Sequence, residues 1–207
     1  LSTDGTPQFV FYMGGNAVWL YFSTSFTKTA NTFVNNSTVF GKVYFPRLVT
    51  PISVSLSGLV TFFAQFAVFV IAVIYYYIQG EISPNIYICF LPLLLLELAM
   101  LSLGCGIIIS ALTTKYRDLS VLVTFGVQLW MYASAIVFPV SSLPEKWAHL
   151  IMLNPVVPIV EFFRYGFTGN GTVSFPFLFV SVIETLIVLF IGIVIFNRVE
   201  KTFMDTV

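Results

Sequence analysis

The sequence predicts an all-α fold: a polytopic transmembrane helix bundle with five visible spans, and two short re-entrant or interfacial helices on the outer side before the last span. Three observations lead there. Five runs, residues 9–26, 52–78, 86–114, 119–140 and 173–196, are apolar and almost free of charge, and about 20 apolar helical residues cross a hydrocarbon core about 30 Å thick. Charged residues make up 9% of the 207-residue chain and hydrophobic ones 58%, whereas soluble domains are about 25% charged. Finally, Lys and Arg collect in alternate gaps between the runs.

Those gaps give an orientation. Lys28, Lys42 and Arg47 lie between the first two runs, Lys115 and Arg117 between the third and fourth, and Arg198 and Lys201 after the last. The other side carries only Lys146 and Arg164. The positive-inside rule places the basic side in the cytoplasm, with Leu1 outside and Val207 inside. No basic stretch precedes a short apolar one as in a signal peptide. A start outside, on Leu1, therefore leads us to expect an upstream segment with one further span, six in the intact protein.

A formal net charge of zero excludes the basic stripe that nucleic-acid binding requires. Cys89 and Cys105 share one run and stand too far apart along a helix to pair or to share a metal.

Run one is the most polar. Gly14, Gly15 and Asn16 interrupt it and Ser23, Thr24, Ser25 and Thr27 occupy its inner end, so it is expected to pack inside the bundle. The Asn- and Thr-rich loop 28–51 reads as a solvated inner connector. Run two ends in Tyr75, Tyr76 and Tyr77, an aromatic belt at the outer headgroups. In run three, Ser102, Gly106 and Ser110 put a small residue at every fourth position, which allows close helix approach, and Pro92 predicts a kink.

Glu97 in run three and Glu184 in the last run sit deep in apolar sequence, where an ionised side chain costs about 2.5–3.5 kcal/mol. A proton relay or channel lining accounts for them, and so do hydrogen-bonded carboxyls at helix interfaces. Run four follows the tight inner loop Lys115-Tyr116-Arg117-Asp118. On it Phe125, Gln128 and Tyr132 share one face while Trp130 points elsewhere, a stripe that suits either a pathway or helix packing.

The stretch 138–171 is too polar and proline-rich to span, yet too apolar for an exposed loop. Pro139, Pro144, Pro155 and Pro158 divide it into two short helices, about 144–153 and 155–167. Asn154 is the predicted N-cap and Pro155 the first helical residue. Glu161 and Arg164, three apart, are placed to pair. Non-helical backbone at membrane depth is tolerated only inside protein or beside water, so this is either a re-entrant element near an outer opening or a pair of helices lying in the outer interface.

Other motifs are absent. Gly41-Lys42 continues with Val43, so there is no P-loop, and no HExxH, CxxC or GxSxG occurs. His149 stands alone. The acidic residues Glu81, Glu145 and Glu161 are too scattered for a membrane-embedded transferase site, and no internal repeat points to a proton-coupled carrier.

Several stretches together resemble the permease subunit of ABC-2 type transporters, in the branch exporting O-antigen and related cell-envelope polysaccharides. They are Lys42-Val43-Tyr44-Phe45-Pro46-Arg47, Lys115-Tyr116-Arg117-Asp118, Trp130 through Phe138-Pro139, Leu143-Pro144-Glu145-Lys146-Trp147, Leu153-Asn154-Pro155, Glu161-Phe162-Phe163-Arg164 and the tail Arg198-Val199-Glu200-Lys201-Thr202-Phe203. The resemblance implies a transporter subunit rather than an enzyme, placed in the bacterial inner membrane. It implies a homodimeric channel for a lipid-linked polysaccharide, surrounded by membrane lipids and driven by two copies of a separate ABC ATPase. ATP and Mg would belong to that partner, with no cofactor or metal on this chain.

By the same likeness, Asn31, Asn35, Lys42, Tyr44, Phe45, Arg47, Lys115 and Arg117 form the ATPase-coupling surface. Pro144, Trp147, Asn154, Pro155, Glu161 and Arg164 form the periplasmic gate, and Phe125, Gln128 and Tyr132 line the channel. The family's N-terminal amphipathic helix and first span have no counterpart here. Teichoic acid, capsule or a small hydrophobic compound are alternative cargoes, and a membrane-embedded glycan transferase is a more distant alternative.

Overall fold

The computed structural model of the chain describes residues 3–32, 48–115 and 119–204. Among the described residues every regular element is helical: α1 (Gln8–Ala30), α2 (Val49–Ile78), a 3-10 turn (Ile86–Phe90) running into α3 (Leu91–Lys115), α4 (Leu119–Tyr132), α5 (Glu145–Met152), α6 (Val156–Thr168) and α7 (Phe175–Met204). This is the expected all-α bundle. Three of the described segments are long and apolar enough to cross a membrane by themselves, Val49–Ile78, Ile86–Thr113 and Phe175–Arg198. At 1.5 Å per residue the 23 residues of α1 also have the length, but Gly, Asn, Ser and Thr dilute its apolar character. It is buried instead, with Val10, Val18, Phe22 and Phe26 in the core, the position expected for a helix that lipid would solvate poorly.

Small residues set the spacing. Gly58 of α2 faces Tyr21 and Ser25 of α1, and Gly106 of α3 faces Thr29, so that a Cβ on either would meet side-chain atoms at 2.7 and 2.5 Å. Gly104 packs directly on α7 backbone, where an added Cβ would lie 2.8 Å from the Cα of Leu189. These contacts fix directions. α1 and α2 run antiparallel, while α1, α3 and α7 run parallel, with Thr113 Oγ1 donating to the Ala30 carbonyl at 3.1 Å and Ile107 packed on Phe196 beside Leu48. The ends of α1, α3 and α7 and the starts of α2 and α4 therefore share one end of the bundle, the end where the basic gaps begin and close.

Two expectations need correction. Pro92 does not kink a span. It lies in the first turn of α3, just after the 3-10 turn, where its missing N–H removes no helical bond. Run four is not helical to residue 140. α4 stops at Tyr132 after 14 residues, about 21 Å at helical rise, and the chain turns at Ala135 with φ 52°. Its apolar continuation, Ala135, Ile136 and Val140, is buried against the rest of the protein.

Candidate functional site

The outer end is closed by α5 and α6, which meet at 103°. The turn is made by Leu153, Asn154 and Pro155. The Asn154 carboxamide oxygen accepts from Val156 N at 3.2 Å, an Asx turn. α6 begins at Val156 with Pro155 in the cap position, so Asn154 stands one residue before the cap it was predicted to be. Pro144 and Trp147 at the start of α5 are exposed, whereas α6 is buried along almost its whole length. Phe163 and Phe167 pack on Phe66 and Phe69 of α2, and Phe162 packs on Tyr87, Phe90 and Phe175.

A buried helix end must find partners for its last carbonyls. The α2–α3 loop supplies them: Ser83 N donates to Thr168 O at 3.1 Å and Asn85 N to Gly166 O at 3.0 Å, and Asn85 Nδ2 donates to Tyr165 O at 3.0 Å. Gly169, at φ 78°, takes the left-handed position that ends the helix. α6 is thus packed inside the protein while α5 stays on its surface, a bent pair with the shape of a broken span or a re-entrant loop. Neither Ser83 nor Asn85 was marked by the sequence, because their partners lie some 80 residues away.

Inside this end lies a buried polar knot. Arg164, 4% exposed, and Glu161, 2% exposed, form the expected i,i+3 pair at 3.3 Å. The Arg164 fork also donates to Ala135 O at 2.8 Å and Ile136 O at 2.7 Å. Its face covers the Phe11 ring at 3.8 Å, a cation–π contact, and Gly15 leaves the room it occupies. The other Glu161 oxygen accepts from Thr172 N and Oγ1 at 3.4 and 3.2 Å. A buried ion pair is tolerable when its remaining donors and acceptors are largely met, and here loop carbonyls and Thr172 meet all but the Arg164 Nε–H, which has no partner among the described residues. Asn154 extends the knot, taking a bond from Trp130 Nε1 at 3.2 Å and donating to Ala133 O at 3.0 Å.

Along α4 the predicted stripe is on the outside of the chain: Phe125, Gln128 and Tyr132 are exposed. Trp130 turns inward onto Phe22 and Phe26. Asn31, at the end of α1, joins Ser120, Thr124, Phe125 and Gln128 in lining an open groove of about 410 Å³. Tyr132 is not part of that lining. Of the other residues expected from sequence to form the coupling surface, Lys115 ends α3, and Asn35, Lys42, Tyr44, Phe45, Arg47 and Arg117 lie outside the described residues. Glu97 accepts a bond from Ser181 across the α3–α7 interface, the position of a packing carboxyl. Among the described residues no three metal-ligating side chains come together.

The fold is that of a polytopic membrane helix bundle in which a bent helix pair carries a buried polar knot. Residues 2–168 match the ABC-2 type transporter family, and the chain belongs to it. It is 28% identical over 197 residues to a protein of Klebsiella pneumoniae named O-antigen export system permease protein RfbA, covering 95% of this chain and 74% of that one. It is 24% identical over 202 residues to the polysialic acid transport protein KpsM of Escherichia coli, covering 95% and 75%. Identity to the capsule polysaccharide export inner-membrane protein CtrC of Neisseria meningitidis is 24% over 60% of this chain. The expected location, a bacterial inner membrane crossed several times, agrees with these relatives.

Proposed function

We propose that this chain is the permease of an ABC exporter that moves a lipid-linked, O-antigen-like polysaccharide from cytoplasm to periplasm. The observation that carries this is the end-to-end likeness, over 95% of the chain, to a permease named for O-antigen export. The groove beside α4 agrees with it. A hydroxylated polymer needs hydrogen-bonding side chains and aromatic faces for its sugar rings along its path, and Thr124, Gln128 and Phe125 offer both. A groove open on one side needs a second wall, which a second copy of the chain supplies in a homodimer, with Tyr132 further along the same path.

The hairpin containing Pro144, Trp147, Asn154, Pro155, Glu161 and Arg164 is the outer gate. Asn31, Asn35, Lys42, Tyr44, Phe45, Arg47, Lys115 and Arg117 receive two ATPase subunits, which hold ATP and Mg. Co-expression with the ATPase and transport in proteoliposomes tests the reading. Glycolipid should cross only with ATP hydrolysis, and Tyr44→Asp or Phe45→Asp should leave hydrolysis without transport. Export of a small hydrophobic compound with no glycolipid movement would assign a different cargo.

A further inference from the structure

The hydrogen bonds around α4 are unevenly placed along it. At its outer end four consecutive residues are held by the hairpin: Asn154 Nδ2 donates to the Ala133 carbonyl and the Ser134 hydroxyl at 3.0 Å, and the Arg164 fork donates to the carbonyls of Ala135 and Ile136. Ala135 is held at φ 52°, a conformation that a residue with a Cβ keeps only when its surroundings impose it. Further in, α4 buries only Val127. Open grooves undercut two opposite faces, one of about 410 Å³ beside Ser120, Thr124 and Gln128 and an apolar one of about 520 Å³ beside Val123, Gly126 and Trp130. A Cβ on Gly126 would meet nothing within 4 Å.

We propose that Arg164 and Asn154 are positioning residues that pin the outer end of α4, so that α4 swings about residues 133–136 and changes the width of the groove at its inner end. This rests on the transport reading for its purpose, though not for its geometry. The hairpin is itself tied to α1 through Phe11 and to the α2–α3 loop through Asn85, so the pivot is anchored on the body of the protein. Arg164 suits the task because its planar fork reaches two carbonyls at once while facing Glu161, which a lysine ammonium does not do with the same geometry.

Spin-label distances in the complex with its ATPase, in nanodiscs, test this directly. With Cys89 and Cys105 replaced, one label pair sits at the inner end (Lys28 and Val121) and another at the outer end (Leu129 and Trp147). Labelled protein is diluted with unlabelled protein so that only distances within one chain are read. The inner distance should change between the nucleotide-free and ATP-bound states while the outer distance stays narrow and fixed. Arg164→Lys combined with Asn154→Asp, which keeps the Asn154 acceptor and removes its donor, should broaden the outer distribution and lower transport per ATP hydrolysed several-fold. Should the double variant fail to assemble, each single variant is read in the same way.

An outer distance that moves as far as the inner one in the unmodified chain overturns the pivot. A sharp outer distance in the variants overturns the roles of Arg164 and Asn154. The expected distances without glycolipid transport would unseat the cargo and leave the pivot standing.

Discussion

Replacing Gly15 with alanine tests the polar knot most directly. The new Cβ would stand 2.2 Å from Arg164 Nη2 and 3.1 Å from Cζ, so the guanidinium must retreat by more than about 1 Å to restore ordinary van der Waals contact. It has no slack, because Nη2 is committed to Ile136 O at 2.7 Å and Nη1 to Ala135 O at 2.8 Å. Hydrogen bonds to charged groups contribute about 1.5–3 kcal/mol each, and losing one or two outweighs the gain of about 1 kcal/mol from alanine over glycine in a helix. The net loss is about 0.5–5 kcal/mol, and a domain of this size shifts by about 2–4 °C per kcal/mol.

The assay is thermal unfolding of the detergent-solubilised protein, read by tryptophan fluorescence and by size-exclusion recovery, on Gly15→Ala, Arg164→Ala and the double variant. Arg164→Ala alone leaves Glu161 buried without its partner, a loss of about 3–5 kcal/mol. If Gly15→Ala acts through Arg164, it should cost little more once the guanidinium is gone, so the two effects should be strongly non-additive. Additive losses, or a Gly15→Ala melting point equal to that of the unmodified chain, would refute the reasoning.

Gly104→Ala should push α3 away from α7, because the new methyl meets the Leu189 backbone and overpacking of this kind costs about 1–3 kcal/mol; thermal unfolding reads it. Glu97→Gln keeps an acceptor for Ser181, so stability and the pH profile of transport should stay unchanged, and a shifted profile would assign Glu97 to proton movement. Asn85→Ala removes one of the two donors to the Tyr165 carbonyl, a loss of about 0.5–1.5 kcal/mol because the other donor remains. Hydrogen exchange at Gly169, which donates to that same carbonyl, should accelerate.

The sequence made the helical class and the outer hairpin legible because both depend on local pattern. Uncharged length marks a span, Asn154 before Pro155 marks a helix start, and three-residue spacing on one helix brings Glu161 to Arg164. The end of α4 depends on no local signal. No proline occurs between Tyr132 and Phe138, and the helix stops where two side chains more than twenty residues further on capture its carbonyls. The small-residue stripe was half visible. Gly106 does approach α1, but the closest backbone contact to α7 comes from Gly104, because α3 is central and packs closely on both sides. The polar stripe of α4 lay where periodicity put it, since a helix face follows from spacing alone. Asn31 joined that groove only through the folded arrangement of α1 and α4.

The short outer loop between α2 and α3 behaves as two regions. At Gly80 the backbone is left-handed and a side chain would meet open space, so foreign sequence can be accommodated there. Three residues on, Ser83 and then Asn85 serve as the wall on which α6 terminates. An epitope or protease site spliced in at Gly80 therefore offers a handle for determining sidedness in whole cells, whereas the same insertion beside Asn85 would dismantle the mouth it was meant to report on.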